Sequence, residues 1–445
     1  MYILLPLLFV YLVVFYKELF LYRELVVFFL AFLLLIFRKF KEVSLVILYL
    51  ILLFSLTSSA MVEGILTFPI EKSNVKAIYA EVITEPIRKE NRYISFSCKV
   101  LSIKGEEDKY YSGKGKTFVI MPSLPISRGD KVFVEGSFKD NYFLGLGGKV
   151  EKRTLTSMLI QKFNSLLIRN VKSDDSGNII LLLLTGSSLN GDKRISESLR
   201  ALGLSHLIAL SGMHLGFISS IILPILLLFF DRKEAKRIKN VVLLLFVILV
   251  GLRPSLVRSL IFLYLLSFFN TEDSFSLSYA FLSLIFPLYT TELSIILGFS
   301  SLSGILFFAP INKIMKENIH PYISSILSII FVTLSATVTS APIVYKTFGE
   351  WQPFAFLFSI LGLTGIVLLL VTVLFHFIIP KSDLIINFLI SKIIGFTSSC
   401  SVFPLSSSFI AYLYILIFYL LFCFFLFLLN DLKKKNKLRD ILFSF

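Results

Sequence analysis

The sequence predicts a polytopic α-helical membrane protein with an inserted small β-barrel, OB-like, extracytoplasmic domain. Three observations carry that expectation. Of 445 residues, 56% are hydrophobic and 16% charged, against roughly 25% charged in an ordinary globular domain, so the composition suits an exterior that faces lipid. The mean hydropathy is +0.84, and the apolar residues gather in runs along most of the chain. One stretch, 61–153, breaks that pattern with short alternating segments separated by Gly, Pro and Asp. A soluble enzyme is excluded on composition. The net charge of +15 either sets membrane orientation or attracts anions such as phosphate. Cys98, Cys400 and Cys423 lie far apart, which indicates neither a disulfide framework nor a thiolate metal site.

The elements follow in order. Residues 1–60 are expected to form N-terminal transmembrane spans from apolar runs at 2–16, 25–37 and 43–60. The first run lacks a basic start and an A-x-A-like site, so it does not read as a cleavable signal. The second has about 13 apolar residues where roughly 20 are needed, so it must tilt or thin the bilayer. Residues 61–153 read as strands and turns of the OB-like β domain. An amphipathic connector, 154–178, leads into a transmembrane core over 179–430, and 431–445 form a basic cytoplasmic tail. Core spans are expected at 204–230, 241–252 with 254–269, 276–289, 293–309, 322–345, 353–379, 384–403 and 409–429. Basic clusters at Arg38, Lys39 and Lys41, at Arg232, Lys233, Lys236, Arg237 and Lys239, and at Lys433, Lys434, Lys435, Lys437 and Arg439 orient the spans. All three fall inside if the β domain lies outside, 180–184 does not cross, and 241–269 enters and returns to the cytoplasmic side. Pro254 breaks that stretch. Broken backbone at membrane depth is tolerated only beside protein or a water-filled cavity, so the break marks a pathway.

Two polar clusters stand out. In Gly203-Leu-Ser-His-Leu-Ile-Ala-Leu-Ser-Gly-Met-His-Leu-Gly216, helical spacing puts Ser205, Ala209, Gly212 and Gly216 on one seam that admits a close neighbour. His214 projects from roughly the opposite side, with Ser211 about 60° from it. His206 and His214 either bond to neighbouring backbone and hold the helices together or face a polar path. A Ser211/His214 hydrolase lacks an acidic orienter and an oxyanion loop. In Gly251-Leu-Arg-Pro-Ser-Leu-Val-Arg-Ser259, Pro254 suits a first helical turn, and Ser255, Arg258 and Ser259 then share a face. Arg258 beside a helix N-terminus outlines an anion site; the alternative is that Arg253 and Arg258 snorkel or pair with a carbonyl. Ser/Thr/Gly-rich patches at 294–304 and 333–340 read as packing. Tyr79, Tyr93, Phe96, Tyr110, Tyr111 and Phe118 alternate with basic residues, as a stacking platform for a single strand or as a barrel core, with the core favoured.

The segment His206-Leu-Ile-Ala-Leu-Ser-Gly-Met-His-Leu-Gly216 resembles the His-Leu-Leu-Ala-Ile-Ser-Gly-Leu-His-Val-Gly pattern of the ComEC competence family at every polar or small position. Gly203, then Gly251, Pro254, Ser255 and Arg258, and Phe348-Gly349 fall in the family's order. The resemblance implies an inner-membrane channel that passes single-stranded DNA into the cytoplasm during natural transformation, with an OB-like domain between N-terminal spans and channel core. Departures are Ser300 in place of a frequent glutamine within Gly298-Phe-Ser-Ser-Leu, Ser359 in place of a usual asparagine, and Ser187-Ser188 in place of Asp-Arg. Longer members carry a metallo-β-lactamase-like domain with a His-x-His-x-Asp-His motif. The histidines here, His206, His214, His320 and His376, form no such motif, and no P-loop occurs.

The sequence therefore leads to a channel rather than an enzyme, with no catalytic residue, metal or cofactor. The substrate path is expected at His206, Ser211, His214, Ser255 and Arg258, with helix packing at Ser205, Ala209, Gly212 and Gly216 and the helix break at Gly251 and Pro254. Expected partners are single-stranded DNA, the bilayer of a bacterial plasma membrane, and a separate DNA receptor, nuclease and motor ATPase. The alternative function is transport of another anionic solute or lipid through the same broken helix.

Overall fold

The structure is a computed structural model that describes residues 64–187, 212–318, 321–375 and 382–399 apart from a few short stretches, with scattered positions before residue 64. Almost all of the expected spans in 1–60, the span at 409–429 and the basic tail lie outside the described residues.

Alternation over 75–152 becomes a seven-stranded sheet: β1 (Val75–Val82), β2 (Ile87–Lys89), β3 (Tyr93–Gly105), β4 (Tyr110–Ser112), β5 (Lys116–Pro122), β6 (Lys131–Lys139) and β7 (Tyr142–Lys152). The order is β1-β6-β7-β5-β3-β2, with β4 on β3 and a further pairing of β1 with β3. The 13-residue β3 organises it. Its first half, Tyr93 to Lys99, pairs with β5, and its second half, Cys98 to Gly105, pairs with β1. Along β3 the residues Ile94, Phe96, Cys98 and Val100 point inward and are buried with Ile78, Val119, Val134 and Phe143. Period-two side-chain alternation gives each strand one apolar face to bury.

The helices are α1 (Leu155–Ile168), α2 (Asp174–Leu184), α3 (Gly212–Leu227), α4 (Arg232–Val250), α5 (Pro254–Leu265), α6 (Thr271–Ile285), α7 (Leu293–Asn318), α8 (Pro321–Phe348), α9 (Ala355–Phe375) and α10 (Ser382–Ser399). One core joins α3 to α7 through Leu215, Leu243, Val247, Leu256, Phe275, Tyr279, Ile295 and Phe299. Another joins α1, α2, α9 and α10 through Leu167, Ile180, Leu184, Leu369, Val373 and Ile386. Between α7 and α8 two hydroxyls bond reciprocally: Ser300 Oγ donates to the Thr339 carbonyl at 2.6 Å, and Thr339 Oγ1 donates to the Ser300 carbonyl at 2.9 Å. Further along α8, Ser335, Thr337 and Ser340 bond to carbonyls one turn back, those of Phe331, Thr333 and Ala336. Hydroxyls satisfied within the helix need no water, which accounts for a Ser/Thr-rich stretch on an apolar element.

The expected fold class is corrected on two counts. Where a polytopic helical membrane protein was expected, the described residues are mixed α/β, and among them one helical segment, Leu327–Phe348, is long and apolar enough to cross a bilayer. Shorter apolar helices, Asp175–Leu184, His214–Leu227, Pro254–Leu265, Leu293–Ala309 and Thr364–Leu374, reach about 15 to 26 Å at 1.5 Å per residue, short of the roughly 30 Å of a hydrocarbon core. Composition counts apolar residues without locating their interruptions. Here Gly251 and Pro254 stop one run, Asn270 caps a new helix by accepting from the Asp273 amide, and α4 opens on Arg232, Lys233, Lys236 and Arg237. The β unit is likewise described as one seven-stranded sheet rather than the expected barrel, with β2 and β4 added along β3.

Burial in the sheet pushes the Cys98 thiol up to about 12. With Cys400 and Cys423 replaced by serine, a maleimide at neutral pH should leave native protein unlabelled and label it after denaturation. The unfolded thiol ionises near 9.0 while the folded one keeps its proton to about 12, so stability should fall as pH rises above 9. Urea midpoints of wild type and Cys98→Val should diverge over that range; parallel midpoints would contradict a buried neutral thiol.

Candidate functional site

The site begins with backbone. α4 ends at Val250 in a left-handed cap: Gly251 has φ 97°, its amide bonds to the Ile248 carbonyl, and the Leu252 amide bonds back to Val247. Leu252 is also left-handed, at φ 52°, a conformation that costs a residue with a side chain about 1–2 kcal/mol. The chain straightens at Arg253 and restarts as α5 with Pro254 in its first turn, where the missing amide costs nothing. Gly251 also lies close against α1, where an added Cβ would stand 2.7 Å from Cδ1 of Ile160 and that side chain would have to shift. The expected helix break at Gly251 and Pro254 is thus a cap, two left-handed residues and a proline start.

One turn into α5, Arg258 reaches the meeting point of three helices. Its guanidinium lies over the Phe299 ring of α7, 5.4 Å from the centroid. A Cβ on Gly298 would come within 2.7 Å of Arg258 Cζ, and one on Gly212 of α3 within 3.3 Å of an Arg258 terminal nitrogen and against the Ser259 hydroxyl. Two glycines therefore make room for the cation. Phe299 is held edge-on by Tyr279 at 4.8 Å and Phe275 at 5.4 Å. A cation over an aromatic face gains on the order of 0.5–2 kcal/mol when desolvated. Arg258 Nε is fully enclosed and has no hydrogen-bond partner among the described residues. An enclosed charged donor without an acceptor is costly, and an anion brought to it would relieve that cost.

The other expected path residues divide. Ser255 sits on α5 one turn before Ser259, and its carbonyl accepts the Ser259 hydroxyl at 2.9 Å. His214 is buried on α3; since Gly212 faces α5, His214 two residues on is turned about 200° away from it. Of the packing seam, Gly212 makes the close approach, whereas a Cβ at Gly216 meets no described atom within 4 Å. Ser205, His206, Ala209 and Ser211 lie outside the described residues. Among the described residues no cluster of three or more His, Cys, Asp and Glu is placed to hold a metal ion. Gly298 and Phe299 are site residues that spacing alone did not single out; the only sequence signal was the Gly-Phe pair within the 298–302 motif.

A second polar surface lies on the sheet. Register places Ser97, Phe118, Tyr142 and Lys139 in one rung across the outer face and Lys99 beside Lys116 in the next. Tyr93, Tyr110 and Phe118 are exposed, Tyr79 and Tyr111 half-buried, and Phe96 buried in the core. The aromatics thus serve core and surface both. Lys99 directly opposite Lys116 is repulsive, and Glu292 at the start of α7 offsets it with an ion pair to Lys116 at 3.3 Å. Beside it, Arg128 from the β5–β6 loop donates to the Tyr289 hydroxyl at 2.7 Å, and that hydroxyl donates to the Leu252 carbonyl at 3.2 Å.

Comparison with protein families gives one match: the model described as Competence protein covers residues 183–434, more than half of the chain and all of α3 to α10, and leaves out the sheet. Comparison with curated proteins and with solved structures finds no match.

The cradle around Arg258 sets a ranking of glycine substitutions. Gly298→Ala and Gly212→Ala each push a methyl into the guanidinium or Ser259 and should cost about 1–3 kcal/mol, the usual range for overpacking. Gly216→Ala should be neutral or slightly stabilising, since alanine favours a helix over glycine by up to about 1 kcal/mol. Thermal unfolding of the three variants in one detergent checks the order; equal destabilisation by all three would remove the cradle.

Proposed function

The chain belongs to the Competence protein family, whose role lies in DNA uptake, and from that premise we propose that it forms part of the passage for single-stranded DNA across the bacterial plasma membrane. Proteins of this family are membrane-associated, and Leu327–Phe348 is a candidate apolar span. The observation that carries the reading is Arg258: a cation held between α3, α5 and α7 with an enclosed donor that lacks an acceptor. Arginine keeps its charge in low dielectric and presents a planar fork to phosphate oxygens. The N-terminus of α5, one turn away, adds partial positive charge on the same side.

In this reading the sheet lies outside the membrane and receives the strand. Phe118, Tyr142 and Tyr93 offer faces on which bases stack, and Lys99, Lys116 and Lys139 lie at phosphate-binding positions beside them. Stacking accepts any base, which suits uptake without sequence preference. Force and strand degradation come from partners, a motor ATPase and a nuclease, with a DNA receptor delivering the strand. Arg258 recognises phosphate and not bases, so transport of another phosphorylated anion is the competing reading, and the assay has to follow DNA itself.

Arg258→Lys retains charge and loses the fork; Arg258→Gln loses charge and retains some hydrogen bonding. Internalised labelled DNA, scored separately from surface-bound DNA at equal protein abundance, should rank wild type, then Lys, then Gln, with a deletion strain at background. Uptake that is unchanged in the deletion strain would end the DNA reading. Normal uptake per molecule in both variants would take Arg258 out of the path.

A further inference from the structure

The sheet and the helix break ahead of Arg258 meet on one turn of chain. Tyr289 stands there between α6 and α7, its ring stacked on Phe286 at 5.0 Å with an interplanar angle of 8°. Its hydroxyl accepts from Arg128 and donates to the carbonyl of the left-handed Leu252. The Arg128 guanidinium also lies 5.7 Å from the Tyr289 ring centroid. Three residues on, Glu292 pairs with Lys116 of β5, and the Glu292 amide bonds to the Tyr289 carbonyl. α1 closes the arrangement from the other side: Gln161 donates to Ser127, next to Arg128, at 3.0 Å, and Ile160 fills the space above Gly251.

We propose that Tyr289 is a positioning residue for Arg258: it fixes the Gly251–Leu252 break from which α5 starts, and through Arg128 it links that break to the sheet. The proposal rests on the reading of the sheet and Arg258 as two stations on one polyanion route. Loop 127–130 is stiff enough to transmit a displacement, because the Asp130 carboxylate accepts the Ser127 amide at 2.9 Å and the Gly129 amide bonds to the Val82 carbonyl at 2.8 Å. Lys116 belongs both to the basic face and to the Glu292 pair. A phosphate backbone laid along Lys99 and Lys116 competes with Glu292 for Lys116, loosens the turn that carries Tyr289, and alters the hold on Leu252. Phosphate contact on the sheet thereby reaches the helix that carries Arg258, without the strand touching the break.

The test uses full-length protein in nanodiscs of phosphatidylethanolamine and phosphatidylglycerol, with oligothymidylate as the probe. Amide exchange at Gly251, Leu252, Leu256 and Val257 reports the break, and fluorescence anisotropy reports binding. Tyr289→Phe keeps the ring stack and loses both hydroxyl bonds, of which the one to the Leu252 carbonyl lies at the break, so exchange there should rise roughly fivefold without DNA, as expected for that one bond. Oligothymidylate should change exchange at the break in wild type and change it no further in Tyr289→Phe or Arg128→Gln, although both variants still bind it. A residue that merely packs would leave the DNA response intact in both variants. Wild-type exchange in Tyr289→Phe, or bound oligothymidylate with no change at the break in wild type, overturns the proposal. Absence of oligothymidylate binding defeats the functional reading instead, and the DNA-free exchange of Tyr289→Phe still decides whether Tyr289 holds the break.

Discussion

A guanidinium among apolar helices is the constraint around which the helical part is arranged. Arg258 carries its charge on a flat group that needs contact on both sides, and in this bundle those contacts are backbone and an aromatic face. The backbone of α3 comes close because residue 212 is glycine, and that of α7 because residue 298 is glycine. The aromatic face is Phe299, fixed by Phe275 and Tyr279 of α6. α3, α5, α6 and α7 therefore converge around one side chain, within the apolar core that joins them. Close packing allows little adjustment: a single added methyl at either glycine meets atoms rather than space.

The same arrangement explains why the break lies where it does. A continuous helix from α4 into α5 would carry Arg258 along the axis of α4, away from α7. The left-handed pair Gly251 and Leu252 turns the chain, and Pro254 restarts it without an unsatisfied amide. Leu252 is an unfavourable residue for that turn. Its carbonyl bond from Tyr289, and Ile160 packed over Gly251, are the surrounding interactions that offset the strain.

Sequence pattern reveals local chemistry here more readily than long-range contact. The break was legible because Gly251 and Pro254 have conformational preferences of their own, and the strands between 75 and 152 because alternation is a property of a few neighbouring residues. Ser255, Arg258 and Ser259 were placed on one face by helical period, and the structure keeps them there. Gly298 was not legible, since a glycine in an apolar helix looks the same whether it faces lipid, a neighbour or a cation 40 residues away in sequence. The membrane fold class failed for a related reason: an apolar average does not record where helices stop. The barrel failed because alternation states which face of a strand is buried and leaves open which strands meet at its edges. β3, with β1 and β5 sharing its length and β2 and β4 added at its ends, is decided by those edges.

The paired hydroxyl bonds between Ser300 and Thr339 have a mechanical consequence. Each helix presents a donor to the other's backbone at the same level, so a slide along the common axis by even one residue would forfeit both bonds. The two bonds together hold α7 and α8 in one axial register. Two residues before Ser300, Gly298 backs onto the Arg258 guanidinium, so the register of the hydroxyl pair also sets the level at which α7 meets that cation.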